Sequence, residues 1–150
     1  MFVPPPAWFA IAFALGWAVD HWLTHARLLP PGVRRSRVSL AILLAMTAAG
    51  VVTSAFHQFY RARATLLPAG KTHQLATDGI YRVTRNPMYL AMTMLYVGAA
   101  IWLDTLWPIV TLPIALFVVA GIFVPYEERR MHRLFGPEYE LYRSRVRRWL

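Results

Sequence analysis

The chain has 150 residues, of which 57% are hydrophobic and 15% charged, with a mean hydropathy of +0.40 and a formal net charge of +9. A soluble domain carries about a quarter charged residues, so this balance points to an integral membrane protein, and the basic excess points to anionic lipid headgroups, not nucleic acid. The chain contains no cysteine, which excludes disulfides, thiolate catalysis and cysteine-based metal sites.

Four apolar segments are expected to be transmembrane helices. The first covers about residues 7–29 and contains Asp20, His21 and His25. No positive region precedes its apolar run in "MFVPPPAWFAIAFALGW", so it is expected to be a retained span and not a cleaved signal. His21 and His25 have the i, i+4 spacing at which two imidazoles can share a metal. No third ligand is placed beside them, although His57 and His73 exist, so no metal is expected there. Hydrogen bonding between helices or a place near the interface accounts for the pair. The second span, about residues 38–56, is the cleaner run "VSLAILLAMTAAGVVTSAF". Small residues in "AMTAAG" suit close helix packing, within one chain or between chains.

The third and fourth spans share the apolar region Pro87 to Tyr126. About 20 residues cross the hydrocarbon core, so this region folds back once. It divides at "WLDTLWP", where Asp104 and Pro108 mark a turn and Trp102 and Trp107 an interface. The spans are then about 87–103 and 108–126. The expected architecture is an all-α membrane protein, one domain over residues 1–150. It has about four transmembrane helices and a cytoplasmic C-terminal helical segment.

Charge placement sets the expected orientation. Arg27, Arg34, Arg35 and Arg37 lie between the first two spans. Arg61, Arg63, Lys71, Arg82 and Arg85 lie between the second and third, and a further arginine-rich run from Arg129 to Arg148 follows the fourth. The last two groups share a face and outnumber the first, which places both termini, the loop 57–86 and the tail 127–150 in the cytoplasm.

The tail has helical periodicity. Glu127, Met131, Leu134 and Phe135 fall near one face. Gly136-Pro137 interrupts the helix and restarts it, with Pro137 at a first helical position and Glu138 and Glu140 in the favoured first turn. Tyr139, Tyr142 and Val146 follow at i, i+3 and i+7.

Two constellations carry chemistry. Asn86-Pro87 is a helix-start signal. The unpaired donors of that first turn suit a carboxylate or phosphate, and Arg85 adds a bidentate donor. Gly79 allows a tight turn or close approach upstream. The plainer reading is that Asn86 caps the helix and Arg85 reaches to lipid headgroups. Glu127-Glu128 closes the last span and suits sugar hydroxyls or an ammonium group. The plainer reading there is helical pairing of Glu128 with His132 and Glu127 with Arg130. An antiparallel hairpin brings both constellations to one membrane face. A zwitterionic ligand bearing an α-amino-carboxylate and a ribose suits the combination.

"GIYRVTRNPMYLA", followed by "EERRMHRLFGPEYELYRSRVRRW", resembles the small membrane-embedded methyltransferases of the isoprenylcysteine carboxyl and phospholipid N-methyltransferase group. The upstream "ATLLPAGKTHQLATDG" is similar to the polar lead-in of bacterial members. The resemblance covers about residues 60–150. It implies S-adenosylmethionine as methyl donor, an amphiphilic lipid or prenylated acceptor, and an integral membrane location, a bacterial inner membrane, with the site facing the cytoplasm. The matching positions are Gly79, Tyr81, Arg85, Asn86, Pro87 and Tyr89, then Glu127, Glu128, Leu134, Phe135, Gly136, Tyr139 and Tyr142, with Arg143 and Arg147 nearby. Many relatives carry His where this chain has Asn86, and Asn cannot act as a titrating base.

The resemblance assigns catalytic positions to Arg85, Glu127 and Glu128. Glu127 and Glu128 take the donor's hydroxyls or amino group, and Arg85 with the helix start takes its carboxylate. Tyr81, Tyr89, Tyr139 and Tyr142 wall the adenine or the sulfonium. Two alternatives stand beside this. Membrane sterol and enone reductases have a similar Arg-(Asn/His)-Pro-x-Tyr region and use NADPH, though with longer chains. A non-enzymatic membrane scaffold makes Arg85, Glu127 and Glu128 structural.

Overall fold

The computed structural model describes residues 3–30, 32–61 and 75–150, and among these residues it is helical with no strand. Arg63, Lys71, His73 and most of the polar lead-in lie outside the described residues. The helices are α1 (Pro5–Trp22), α2 (Arg34–Arg61), α3 (Pro87–Leu103), α4 (Trp107–Val118), α5 (Val124–Phe135) and α6 (Pro137–Arg145). A short 3₁₀ turn, Gly79–Arg82, precedes α3. Two stretches are long and apolar enough to cross a membrane, Arg34–Arg61 and Trp107–Phe135, while α3 is apolar but shorter.

α1 ends earlier than the apolar run suggests. A span to residue 29 is expected, but the helix stops at Trp22. The Asp20 carboxylate accepts the Ala26 amide at 3.1 Å and draws the chain back on itself. The segment that follows folds onto the α3–α4 turn. Leu106 N–H donates to the Ala26 carbonyl at 2.9 Å, Trp107 Nε1 to the Thr24 carbonyl at 3.1 Å, and Leu29 N–H to Asp104 Oδ1 at 3.2 Å. His21 and His25 therefore do not share one helical face. His25 instead lies 3.9 Å from Asp20.

α2 runs well beyond residues 38–56, as a 28-residue rod. It packs along α3 through small residues. Ala41, Ala48, Val51 and Ala55 are buried, and Ala48 meets Ala91 of α3. Small side chains let the two backbones approach, which replaces hydrophobic driving force where the surroundings are apolar. Of "AMTAAG", Ala48 is used in this way, whereas a Cβ at Gly50 meets nothing within 4 Å.

α3 turns into α4 where the sequence places the break. Asp104 adopts the left-handed conformation, φ 57°, and ends α3. α4 packs against α1, and Gly16 permits the crossing, since a Cβ there meets the Pro108 backbone at 2.6 Å. Tyr96 donates to the Pro108 carbonyl at 2.8 Å, and Phe9 and Phe13 meet its ring edge to face.

The fourth expected span does not end at Tyr126. α4 passes through a π-helical stretch, Val119–Phe123, and continues without a break into α5. Pro125 explains the widened turn. It supplies no N–H to the preceding turn and its ring crowds the carbonyl four residues back. Glu127 and Glu128 thus sit inside a continuous rod, not at its end. Gly136, at φ 49°, breaks the rod, and Pro137 starts α6.

Candidate active site

A cavity of about 480 Å³ opens where the start of α3, the middle of α5 and the inner face of α6 meet. That volume is in the range of small-molecule sites. Tyr81, Arg85, Asn86, Pro87, Tyr89, Glu127, Glu128, Tyr139 and Tyr142 all line it. Gly79 does not. It holds a positive φ of 60°, and a Cβ there lies 2.6 Å from the Gln58 amide of α2. Its part is to let the 3₁₀ turn pass close to α2.

The first acidic residue faces α3. Tyr89 O–H donates to Glu127 Oε1 at 2.6 Å, so one helix fixes the carboxylate of the other. The charge of Arg130 also acts on Glu127, consistent with the expected i, i+3 relation.

The second acidic residue is held differently. Arg148 donates Nε to Glu128 Oε1 at 3.0 Å and Nη2 to Oε2 at 2.7 Å. Arg85 Nη1 stands 3.0 Å from the same Oε1. Oε1 of Glu128 thereby faces two donors and Oε2 one, which leaves a single acceptor site on Oε2 for a ligand hydroxyl. The expected Glu128–His132 pair is replaced, because His132 turns to Glu140 at 3.0 Å.

Arg85 is the buried cation of the cavity wall, with a side chain only 10% exposed. Besides Glu128 it donates to Tyr139 Oη at 3.4 Å. Its Nε is shut from solvent and has no hydrogen-bond partner among the described residues. A snorkelling position at the headgroups does not describe such a residue.

Asn86 occupies the N-cap position, and its carbonyl accepts the Leu90 amide. Its side chain does not cap. Nδ2 donates to the Arg148 carbonyl at 2.9 Å, and no side-chain bond to the first turn of α3 forms. Thr84 Oγ1 donates to the same carbonyl at 3.1 Å, and Arg85 N–H donates to the Arg147 carbonyl at 3.1 Å. The last residues therefore clasp the turn before α3, and Trp149 anchors them against the cluster of Phe9, Tyr89 and Tyr96.

The tyrosines form the aromatic wall. Tyr142 O–H donates to the Tyr81 carbonyl at 2.8 Å, tying α6 to the 3₁₀ turn. Burial pushes the Tyr81, Tyr139 and Tyr142 hydroxyls upward from their ordinary value. They stay neutral near pH 7. The hydrogen bonds to Glu128 likewise raise Arg148.

Sequence reasoning missed Arg148, Thr84 and the apolar wall of Phe59, Met88 and Met92. Of the neighbours it named, Arg143 pairs with exposed Glu140 at 3.8 Å, and Arg147 contributes only its carbonyl. Met131 and Phe135 line the cavity, but Leu134 is exposed. Apolar Trp149 directly after an arginine was the signal for a docked tail.

A family model described as phospholipid methyltransferase matches residues 36–138. The chain belongs to the phospholipid methyltransferase family. A probable protein-S-isoprenylcysteine O-methyltransferase of Oryza sativa subsp. indica is 34% identical over 74 residues, which are 49% of this chain and 39% of that protein. Protein-S-isoprenylcysteine O-methyltransferase B of Arabidopsis thaliana is 28% identical over 74 residues, 49% of this chain and 38% of that protein. The chain therefore spans about two fifths of the length of the curated relatives it matches. No solved structure matches. The phospholipid methyltransferase match includes Arg85 to Tyr89 and Glu127-Glu128, while Tyr139, Tyr142 and the clasp of Arg147 and Arg148 lie beyond it.

Proposed function

We propose that this protein transfers a methyl group from S-adenosylmethionine to an amphiphilic, membrane-resident acceptor: a carboxylate, amine or hydroxyl of a lipid or prenylated molecule. The chain is embedded in the membrane through its apolar helices, with the cavity on the cytoplasmic face. The observation that carries this reading is the pairing of buried Arg85, whose Nε has no partner among the described residues, with Glu127 across one cavity. That arrangement suits a zwitterion, and the family is one of methyltransferases.

The residues fit the donor. Arg85 offers its guanidinium to a carboxylate, and Glu127, steadied by Tyr89, takes an ammonium or a hydroxyl. Glu128 acts as a positioning residue, holding the Arg85 guanidinium in place. The tyrosine faces suit an adenine or a cationic sulfur. When bound, S-adenosylmethionine supplies an electrophilic methyl whose bond to sulfur breaks with the electron pair retained by sulfur.

The protein's task is then alignment and exclusion of water. Asn86 cannot take a proton, and the buried tyrosine hydroxyls remain protonated, so a carboxylate acceptor, already ionised, makes the least demand on these residues. Met88, Met92, Met131 and Phe59 form an apolar wall for a hydrocarbon chain.

The test is thermal unfolding of the purified protein with S-adenosylhomocysteine or NADPH. Stabilisation by S-adenosylhomocysteine is expected, and stabilisation by NADPH alone overturns the proposal. Labelled donor incubated with a total membrane lipid extract, followed by mass spectrometry, then identifies the acceptor.

A further inference from the structure

At the far end of α3, about 25 Å from the donor cavity by helix rise, lies a second concavity of about 480 Å³. It opens between the segment after α1, the start of α2 and the α3–α4 turn. Arg27, Arg34 and Arg37 line it together with Asp20 and Asp104. Both carboxylates are already engaged. Asp20 accepts the Ala26 amide and lies 3.9 Å from His25, which also lines the cleft, while Asp104 accepts the Leu29 amide and pairs with Arg37 at 2.6 Å. Arg27 and Arg34 are exposed and have no ion pair or hydrogen bond among the described residues. Arg37 Nε is closed to solvent and has no partner among the described residues. A buried guanidinium donor left without an acceptor is costly, and this wall holds more donors than its carboxylates fill.

These arginines are also the ones that oppose the expected orientation. The positive-inside bias works against basic residues on this face, so their presence here calls for a local use. The surroundings are amphipathic. Trp22 and Leu23, close in the chain to Asp20, and Trp102 beside Leu103 are exposed apolar residues, as at a membrane interface. A free anion has no use for such a rim, whereas a lipid uses both parts. Guanidinium forks match phosphate oxygens, and basic pockets between helices take anionic headgroups.

We propose that the cleft of Arg27, Arg34 and Arg37 binds the phosphate of an anionic lipid headgroup in the leaflet opposite the donor cavity. This rests on the membrane-embedded part of the function proposed above.

The test uses the full chain in neutral detergent. Thermal unfolding is followed as phosphatidylglycerol, diacylglycerol or inorganic phosphate is added. A saturable rise in Tm is expected with phosphatidylglycerol and not with the other two. The variant R27Q/R34Q is expected to weaken that response about tenfold, and R82Q, a charge loss beside exposed Asp78, to leave it unchanged. If the double variant does not fold, R27Q and R34Q singly are each expected to weaken it about threefold. An unchanged response in the arginine variants overturns the proposal, as does an equal response to diacylglycerol. A response to inorganic phosphate as strong as to phosphatidylglycerol overturns the lipid assignment. Stabilisation by S-adenosylhomocysteine is recorded on the same samples and is expected to persist in R27Q/R34Q. Its absence in the unmutated protein counts against the donor reading alone, while the phosphatidylglycerol response judges the cleft.

Discussion

Arg148 grips both oxygens of Glu128, at 3.0 and 2.7 Å, and through that carboxylate it reaches Arg85 at 3.0 Å. The C-terminal segment is thereby part of the cavity wall. Its backbone closes the same circuit, since the Arg148 carbonyl accepts from both Thr84 and Asn86. A carboxylate between two guanidinium groups neutralises part of their mutual repulsion and holds Arg85 in the cavity wall.

Removing either end of this grip is expected to loosen the other. Glu128→Gln and Arg148→Gln should each lower stability by about 1.5–3 kcal/mol, the range for hydrogen bonds to charged groups. Each should also weaken S-adenosylhomocysteine binding. The double variant should cost clearly less than the sum of the two, because both remove one interaction. Arg148→Lys keeps the charge without the fork and should fall between. Calorimetry and denaturant titration of the four proteins check this, and strict additivity would refute the coupling.

Glu127 is expected to behave as a ligand group and not as a strut. Glu127→Gln should leave the fold intact and reduce donor affinity about tenfold, by loss of a charge-assisted hydrogen bond. Tyr89→Phe removes only the hydroxyl that steadies Glu127 and should reduce affinity less. Isothermal titration with S-adenosylhomocysteine distinguishes the two. Equal losses in both variants would instead make Tyr89 the contact.

Much of this site was legible because local chemistry and topology agreed. Asn86-Pro87 begins a helix, "WLDTLWP" turns the chain back, and an antiparallel hairpin brings Arg85 toward Glu127-Glu128. What was not legible depended on competition between partners distant in sequence. Nothing local in Asn86 says that the Arg148 carbonyl will take its amide. Nothing local in Glu128 says that arginines 43 residues before it and 20 after it will displace His132. The end of α1 was missed for the same reason, since Asp20 finds its acceptor role in a backbone amide beyond the helix. The unbroken rod through Glu127 was hidden because the apolar run stops at Tyr126, whereas the helix carries on through a π-helical turn into charged residues.

Gly16 sets the close approach of α1 and α4. Its Cβ position lies 2.6 Å from backbone atoms of Pro108, which cannot swing aside as a side chain does. Gly16→Ala is expected to destabilise by about 1–3 kcal/mol, the usual cost of overpacking. Because Pro5 and Pro6 of α1 line the cavity, donor affinity should fall as well. Gly50→Ala, with open space at its Cβ position, should change neither. Thermal unfolding and donor titration of both variants check the contrast.

Alkaline pH is expected to unfold the protein through its buried tyrosines. Burial raises Tyr81, Tyr139 and Tyr142 above the ordinary value of 10.0. Below pH 10 the hydroxyls are protonated in both folded and unfolded chains, and the stability they permit is fully present. Above pH 10 the unfolded chain releases protons that the folded chain retains, so the unfolded state gains and stability falls as pH rises toward the folded values. The thermal midpoint should therefore be flat with respect to these groups up to about pH 10 and drop beyond it. The part of the tyrosinate absorbance that belongs to these three residues should rise together with unfolding and not before it. A tyrosinate signal that titrates fully near pH 10, with the helical circular dichroism unchanged, would show that these three hydroxyls are open to solvent and would remove them from the cavity wall.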